Sequence, residues 1–486
     1  MSFYKSEVYV INGEQKMGSQ KTTKKLQLFD IVLFNVCGIL SVDTIAAGAS
    51  MGVQGMTWRI LGILFFFIPY GLATAELGSS WPKAGGIYVW TREAFGDFWG
   101  TMVSWLYWIN VIYWMSSMFV TFAAIFLSAF FPGLSPSTMT SLQILIGITL
   151  VWTVVYLGRK NITLSDLVTN TGAILKTVLF LLLGLLGILY ALRFKLANNF
   201  APANWKITWD STLAFMPVVV YNFLGFELVS SFSDKLDNPR KNIPKAILIS
   251  GILIAFLYIL SAFGILAIFK ADEINIVTGI SDSFRTLVSR TMGQDFIWFY
   301  YFLILVFLLS LYTFVFAWAY GANCVIAETG LDKKVKILGH KHPKHGSPDY
   351  AFTIMGVIGT MLITGNSIGM QNIQQIFWTI FALSSVIFLL PYLLMFPAVI
   401  KLRTLHPDRE RPSSIPFGKI GLWITVFCGE FFILIAVFFF FIPPKGTVNV
   451  LRYELSLCIG VFMTIAAGLL IHFKTKRGSF RSTPSS

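Results

Sequence analysis

Residues 217–227 read Pro217-Val-Val-Val-Tyr-Asn-Phe-Leu-Gly-Phe-Glu227, and their reading decides the fold. The run begins as an apolar span and turns polar in its middle. Glycine lowers helix propensity. A carboxylate in hydrocarbon has to be paired or protonated. A span that keeps Asn222, Gly225 and Glu227 therefore reads as a discontinuous helix facing a cavity. The plainer alternative is a polar patch that satisfies itself between packed helices. A basic turn, Asp237-Asn-Pro-Arg-Lys-Asn-Ile-Pro244, ends this span and opens the next.

Working outward, the same solvent governs the whole chain. It is 56% hydrophobic and 12% charged, with mean hydropathy +0.72. Apolar runs of about twenty residues, each enough to cross a bilayer, recur from end to end. They fall near 28–50, 58–79, 98–131, 141–158, 164–192, 212–232, 245–269, 296–328, 350–368, 372–400, 418–442 and 450–473. The prediction is an all-α polytopic membrane protein with 12 transmembrane helices in one domain, 28–473, between tails 1–27 and 474–486. The first 27 residues lack the apolar core and small-residue cleavage site of a signal peptide, so the first span is expected to direct insertion.

A net charge of +14 does not point to nucleic acid. With the N-terminus inside, 27 of the 37 Lys and Arg fall in segments on that side and nine on the other, with Lys176 left within a span. That bias follows the positive-inside rule, which places both termini in the cytoplasm. Cys37, Cys324, Cys428 and Cys458 all lie within spans and make no CxxC pair, so no disulfide is expected. His340, His342, His345, His406 and His472 lie in loops or at a span's inner end. They build no metal or haem site in the membrane, and neither a cofactor nor a catalytic group is expected. His342 and His345 could chelate, but a solvated basic loop is the simpler reading.

The first span carries a second polar knot, Asn35-Val-Cys-Gly-Ile-Leu-Ser-Val-Asp-Thr44. An aspartate in a helix centre costs about 3 kcal/mol on insertion scales. Asp43 is therefore either a functional group with a partner to be named or a hydrogen-bonding structural residue in the outer third of the helix. Asn110, Ser116 and Ser117 in the third span are candidates to line a cavity, against ordinary helix–helix hydrogen bonds. Lys176 sits too deep to snorkel, which favours an inward-facing, paired ammonium. Five spans is an odd number, so a second set of five runs upside down relative to the first. The sixth span then corresponds to the first, and both are polar-broken, which points to a binding site between inverted repeats at about 28–192 and 212–400. Ser384-Ser385 and Pro391 mark the tenth span, while the last two, about 418–473, look peripheral.

Three stretches carry a family resemblance. They are Glu76-Leu-Gly-Ser-Ser-Trp-Pro-Lys-Ala-Gly-Gly-Ile-Tyr88, Phe223-Leu-Gly-Phe-Glu227 with Asn238-Pro-Arg-Lys-Asn-Ile-Pro-Lys-Ala246, and Arg403-Thr-Leu-His-Pro-Asp-Arg-Glu-Arg-Pro412 with Ile415-Pro416. Over nearly its full length the chain resembles the amino acid–polyamine–organocation transporters. The resemblance implies a LeuT-type 5+5 inverted repeat with broken helices 1 and 6, and a substrate held between the two breaks. On that basis the substrate-binding candidates are Cys37, Gly38, Ile39, Leu40, Ser41, Asp43, Asn110, Tyr221, Asn222, Phe223, Gly225 and Ser384. Tyr221 falls where the arginine–agmatine antiporters place an aromatic gate. Glu227 matches their sixth-helix glutamate, and Lys176 matches a lysine that stands in for sodium in sodium-independent members. These two are the coupling and gating candidates. The chain departs from the family's Gly-Ser/Ala-Gly run in the first helix, having Cys37-Gly-Ile-Leu-Ser41 with Asp43 two residues on. The glutamate–GABA antiporter branch also lacks that run, and the sequence is closer in look to it. Asp43 is then an alternative contact for a substrate amine.

The resulting expectation is a secondary transporter of amino acids or their decarboxylated amines, a sodium-independent antiporter in the plasma membrane. Proton-coupled symport is the second choice. No selectivity-filter segment suggests a channel, and no cluster of His, Cys or carboxylates at one depth suggests an enzyme. A non-transporting sensor would have the same fold. The partners are the bilayer and a small-molecule substrate. A homodimer is an option the sequence leaves open.

Overall fold

The computed structural model describes residues 7–11, 14–18, 25–83, 85–160, 165–209, 211–230, 233, 236–328, 337–367, 373–444, 447 and 449–479. Two strands, β1 (Glu7–Ile11) and β2 (Glu14–Gly18), pair antiparallel in the N-terminal tail. The sequence analysis assigns no element to this tail. The β-branched run Val8-Tyr-Val-Ile11 followed by Asn12-Gly13 is a hairpin signal. The remaining described elements are helical, and nine of the described helices are long and apolar enough to cross a membrane.

The first span is split into α1 (Leu28–Ile39) and α2 (Ile45–Ala49). Next comes α3 (Gln54–Ser80), with a π-helical stretch at Ile63–Phe67. Its cause is Pro69, which lacks the N–H that the Phe65 carbonyl would accept in an α-helix. A short α4 (Ile87–Phe95) precedes three long helices, α5 (Asp97–Phe130), α6 (Pro136–Arg159) and α7 (Ser165–Arg193). The sixth span is split in turn, into α8 (Met216–Tyr221) and α9 (Glu227–Ser230). Helix α10 (Pro239–Ile268) already contains most of the basic turn. Pro239 sits in its first turn, so that stretch opens the next span, as expected.

The chain continues through α11 (Gly279–Thr291), α12 (Ile297–Glu328), α13 (Asp349–Ser367) and α14 (Ile373–Leu389). It closes with α15 (Tyr392–Leu405), α16 (Gly418–Phe440) and α17 (Val450–Ser479). Pro391 divides the predicted tenth span into α14 and α15. Helix α5 is the most enclosed of the long helices and packs on α14, α12 and α6. Helices α16 and α17 turn rows of Phe, Leu and Ile outward, as lipid-facing helices do.

Candidate functional site

The two helix breaks lie against each other. Gly225 has φ +131°, a conformation that favours glycine, and a Cβ there would meet Ile39 Cγ1 at 2.9 Å. A break leaves backbone groups without helical partners, and each has to be satisfied inside the protein. In a continuous helix the Ser41 N–H would donate to the Cys37 carbonyl. Here each takes a side chain instead. The Cys37 carbonyl accepts from Lys176 Nζ at 2.8 Å, and the Ser41 N–H donates to the Tyr258 hydroxyl at 2.8 Å. That hydroxyl also lies 2.7 Å from the Ile39 carbonyl and 3.0 Å from the Asn222 carbonyl, so one tyrosine on α10 joins both breaks. Thr44 Oγ1 donates to Asn222 Oδ1 at 2.5 Å and closes the bridge.

Lys176 is fully buried, and its Nζ also stands over the Phe314 ring, 2.9 Å from the centroid. The sequence placed it as a paired, inward-facing lysine. Its partner is a backbone carbonyl.

Glu227, first residue after the second break, is 1% exposed and lies among three tyrosines. Tyr107 donates at 2.9 Å, Tyr392 at 2.7 Å, and Tyr70 makes a third, short bond. The Tyr70 hydroxyl also accepts the Gly225 N–H at 3.0 Å, so it too caps a broken backbone. These tyrosines come from α5, α15 and α3. The sequence reading did not single them out.

Asp43 differs. It is 3% exposed, and neither carboxylate oxygen has a hydrogen-bond partner. Lys176, Tyr221 and Tyr258 are its electrostatic neighbours and the Trp114 indole adjoins it without closing a hydrogen bond, and no ion pair reaches it among the described residues. The indole N–H of Trp114 is itself unpartnered. Leaving a buried carboxylate unpaired is costly unless a cation arrives.

A narrow cleft with about 10 Å³ of room, space for about one water, is lined by Gly38, Ser41, Asn110, Tyr221 and the rings of Trp114, Trp318, Phe314 and Phe388; Asp43 is not in the lining and adjoins it through Trp114. Asn110 Oδ1 and Trp318 Nε1 are buried there without partners. Tyr221 meets Phe381 and Phe388 edge-on, at 5.0 and 5.7 Å between centroids.

The predicted site residues therefore divide. Gly38, Ser41, Asn110 and Tyr221 line the cavity. Ile39 and Asn222 are occupied in bridging the breaks through Tyr258, Cys37 and Gly225 spend backbone groups on Lys176 and Tyr70, and Leu40 is wholly buried beside them. Phe223 stacks on Phe67 at 4.7 Å and is packing. Ser384 donates to the Phe381 carbonyl at 2.8 Å and is absent from the cavity lining. Ser116 and Ser117 likewise spend their hydroxyls on carbonyls of their own helix. Trp114, Phe314, Trp318 and Phe388 were missed as lining residues, because aromatic residues in a membrane helix read first as packing.

At the far end of α3, Glu76 is 1% exposed and fully bonded. Arg403 grips it in bidentate fashion at 2.7 and 2.5 Å, and the Ile415 N–H donates at 2.8 Å. Arg409 donates to the Ser80 carbonyl at 2.8 Å and covers the Trp81 ring. Two of the three stretches that suggested a family thus meet in one knot.

The amino acid permease family model matches residues 26–465. The chain belongs to the amino acid permease family. It is 31% identical to a "Probable agmatine/putrescine antiporter" of Lactococcus lactis, over 95% of this chain and 97% of that one. It is 22% identical to the "Glutamate/gamma-aminobutyrate antiporter" of the same species, over 94% and 92%. A "Probable polyamine transporter" of Arabidopsis thaliana is 24% identical, over 85% and 80%. The permease is thus a multi-pass membrane transport protein. Its identity to the agmatine/putrescine relative exceeds that to the glutamate–GABA branch that the first helix suggested.

Proposed function

We propose that this permease is a sodium-independent exchanger of amines and amino acids in the plasma membrane, with its cationic substrate's ammonium held by Asp43. The observation that carries the reading is the buried Asp43 carboxylate, both of whose oxygens lack a partner, next to Trp114 in the wall of an aromatic cleft. A bound ammonium supplies the missing charge and donors. Asn110 Oδ1 offers a second acceptor, and the rings of Trp318, Tyr221 and Phe314 suit a cation or a methylene chain. The agmatine/putrescine relative supports an amine as one of the exchanged species.

The wider frame of the proposal is 12 helices, with two inverted sets of five at 28–192 and 212–400 and both termini cytoplasmic. The α1–α2 and α8–α9 breaks, in touch through Gly225 and Tyr258, support it. Lys176 takes the carbonyl that a cation would otherwise hold, so sodium has no place to bind there. Proton-coupled uptake is the second reading. Glu227 favours it, because a carboxylate held by hydroxyls alone can keep those bonds as an acid.

The test is counterflow in proteoliposomes. Agmatine or putrescine inside should accelerate uptake of labelled putrescine, equally in sodium, potassium or choline buffer. Uptake that ignores internal substrate but follows an inward proton gradient would favour symport. A saturable sodium requirement would overturn the assignment of Lys176.

A further inference from the structure

Helix α17 is pinned at two glycines. A Cβ at Gly460 would meet Leu383 at 2.7 Å, and one at Gly468 would meet Trp105 at 2.7 Å. Between Gly460 and its N-terminal end the helix leaves α14 and α5, opening a groove of about 510 Å³. Along most of its length the groove is aliphatic, with Leu383, Leu455 and Ile459 in its walls. Asn449, Arg452 and Ser456 follow one another on one face at its mouth. Among the described lining residues Arg452 is the charged one. The apolar span of α17 begins at Val450, so Arg452 stands at headgroup depth while Leu455 and Ile459 stand at the depth of acyl chains.

We infer that this groove is a binding site for one glycerophospholipid. The lipid's phosphate sits at Arg452 and Ser456, and one acyl chain runs down past Leu455 and Ile459. Charge complementarity selects this occupant: a guanidinium and a hydroxyl at the interface end, and an aliphatic trough leading down from them. The site backs onto the transport machinery. Thr379 and Leu383 face the groove, whereas Phe381 and Phe388 of the same helix contact Tyr221. Tyr113, at the groove's other wall, is one residue from Trp114 of the cavity. An occupied groove therefore braces α14 and α5 from behind.

The experiment uses the full chain, delipidated in detergent, with dioleoylphosphatidylglycerol or with dioleoylglycerol, which has the same chains and no phosphate. The phospholipid should raise the unfolding midpoint saturably, with one molecule retained per chain in native mass spectrometry. Dioleoylglycerol should not. Arg452→Gln should raise the half-saturating concentration about tenfold, the loss of one charge-assisted contact. Ile459→Trp, which fills the trough, should abolish the saturable rise. An equal response of the wild type and both variants overturns the site, as does an equal response to the two lipids. A change of oligomer mass in Ile459→Trp with lipid retention intact would mean that a second copy covers the groove, and would also overturn it.

Discussion

Glu76 and Asp43 are carboxylates buried to the same degree, 1% and 3% exposed, and they are treated in opposite ways. Glu76 receives two guanidinium bonds and a backbone N–H, and joins α3 to α15 and the segment before α16. Asp43 receives none. Glu227 stands between them, bonded three times but only by hydroxyls. A fold that saturates one buried carboxylate and leaves another bare is using them differently. The saturated group holds helices together. The bare one carries a cost that a ligand relieves.

The largest effect should come from breaking the saturated one. Glu76→Ala leaves Arg403 without its bidentate partner and the Ile415 N–H unpaired, and should cost about 3–5 kcal/mol, as broken buried pairs do. The check is the unfolding midpoint in detergent. Stability within about 0.5 kcal/mol of wild type, as for a surface substitution, would show that burial and bonding do not mark a structural carboxylate here.

Lys176→Ala tests whether the lysine serves the break or Asp43. The variant frees the Cys37 carbonyl and should strongly reduce transport, with a moderate fall in stability. If the added substitution Asp43→Asn restores the stability of Lys176→Ala, the two residues are a structural charge pair, and the contrast with Glu76 dissolves.

A smaller effect is expected from Tyr258→Phe, which keeps the ring and removes the hydroxyl that joins both breaks. The loss should be about 1–3 kcal/mol from unpaired buried backbone groups, with a matching fall in substrate affinity. Transport kinetics identical to wild type would show that the breaks hold their shape without the bridge.

Much of this was legible in the sequence, for a physical reason. In hydrocarbon an unpaired polar group is costly, so a knot such as Asn35–Thr44 or Tyr221–Glu227 marks a break through its residue types alone. Lys176 stands out in the same way. What the sequence could not supply was pairing across the chain. Tyr258 and Tyr392 lie in ordinary apolar spans, and their roles depend on which broken backbone or carboxylate they meet. The Glu76–Arg403 knot joins residues 327 positions apart. Trp318 and Phe388 read as packing because their rings are apolar, and only the fold aims them at one cavity.

The central claim is that Asp43 is bare because it binds the substrate's ammonium. The most direct test measures two quantities on Asp43→Asn: the affinity for putrescine by titration calorimetry, and the unfolding midpoint without substrate. The account predicts binding weakened at least about a hundredfold, the size of a lost buried charge contact. It also predicts a substrate-free midpoint that is unchanged or raised, because an uncompensated charge has been removed. Unchanged affinity together with a collapsed midpoint would contradict it, and would make Asp43 a structural group like Glu76.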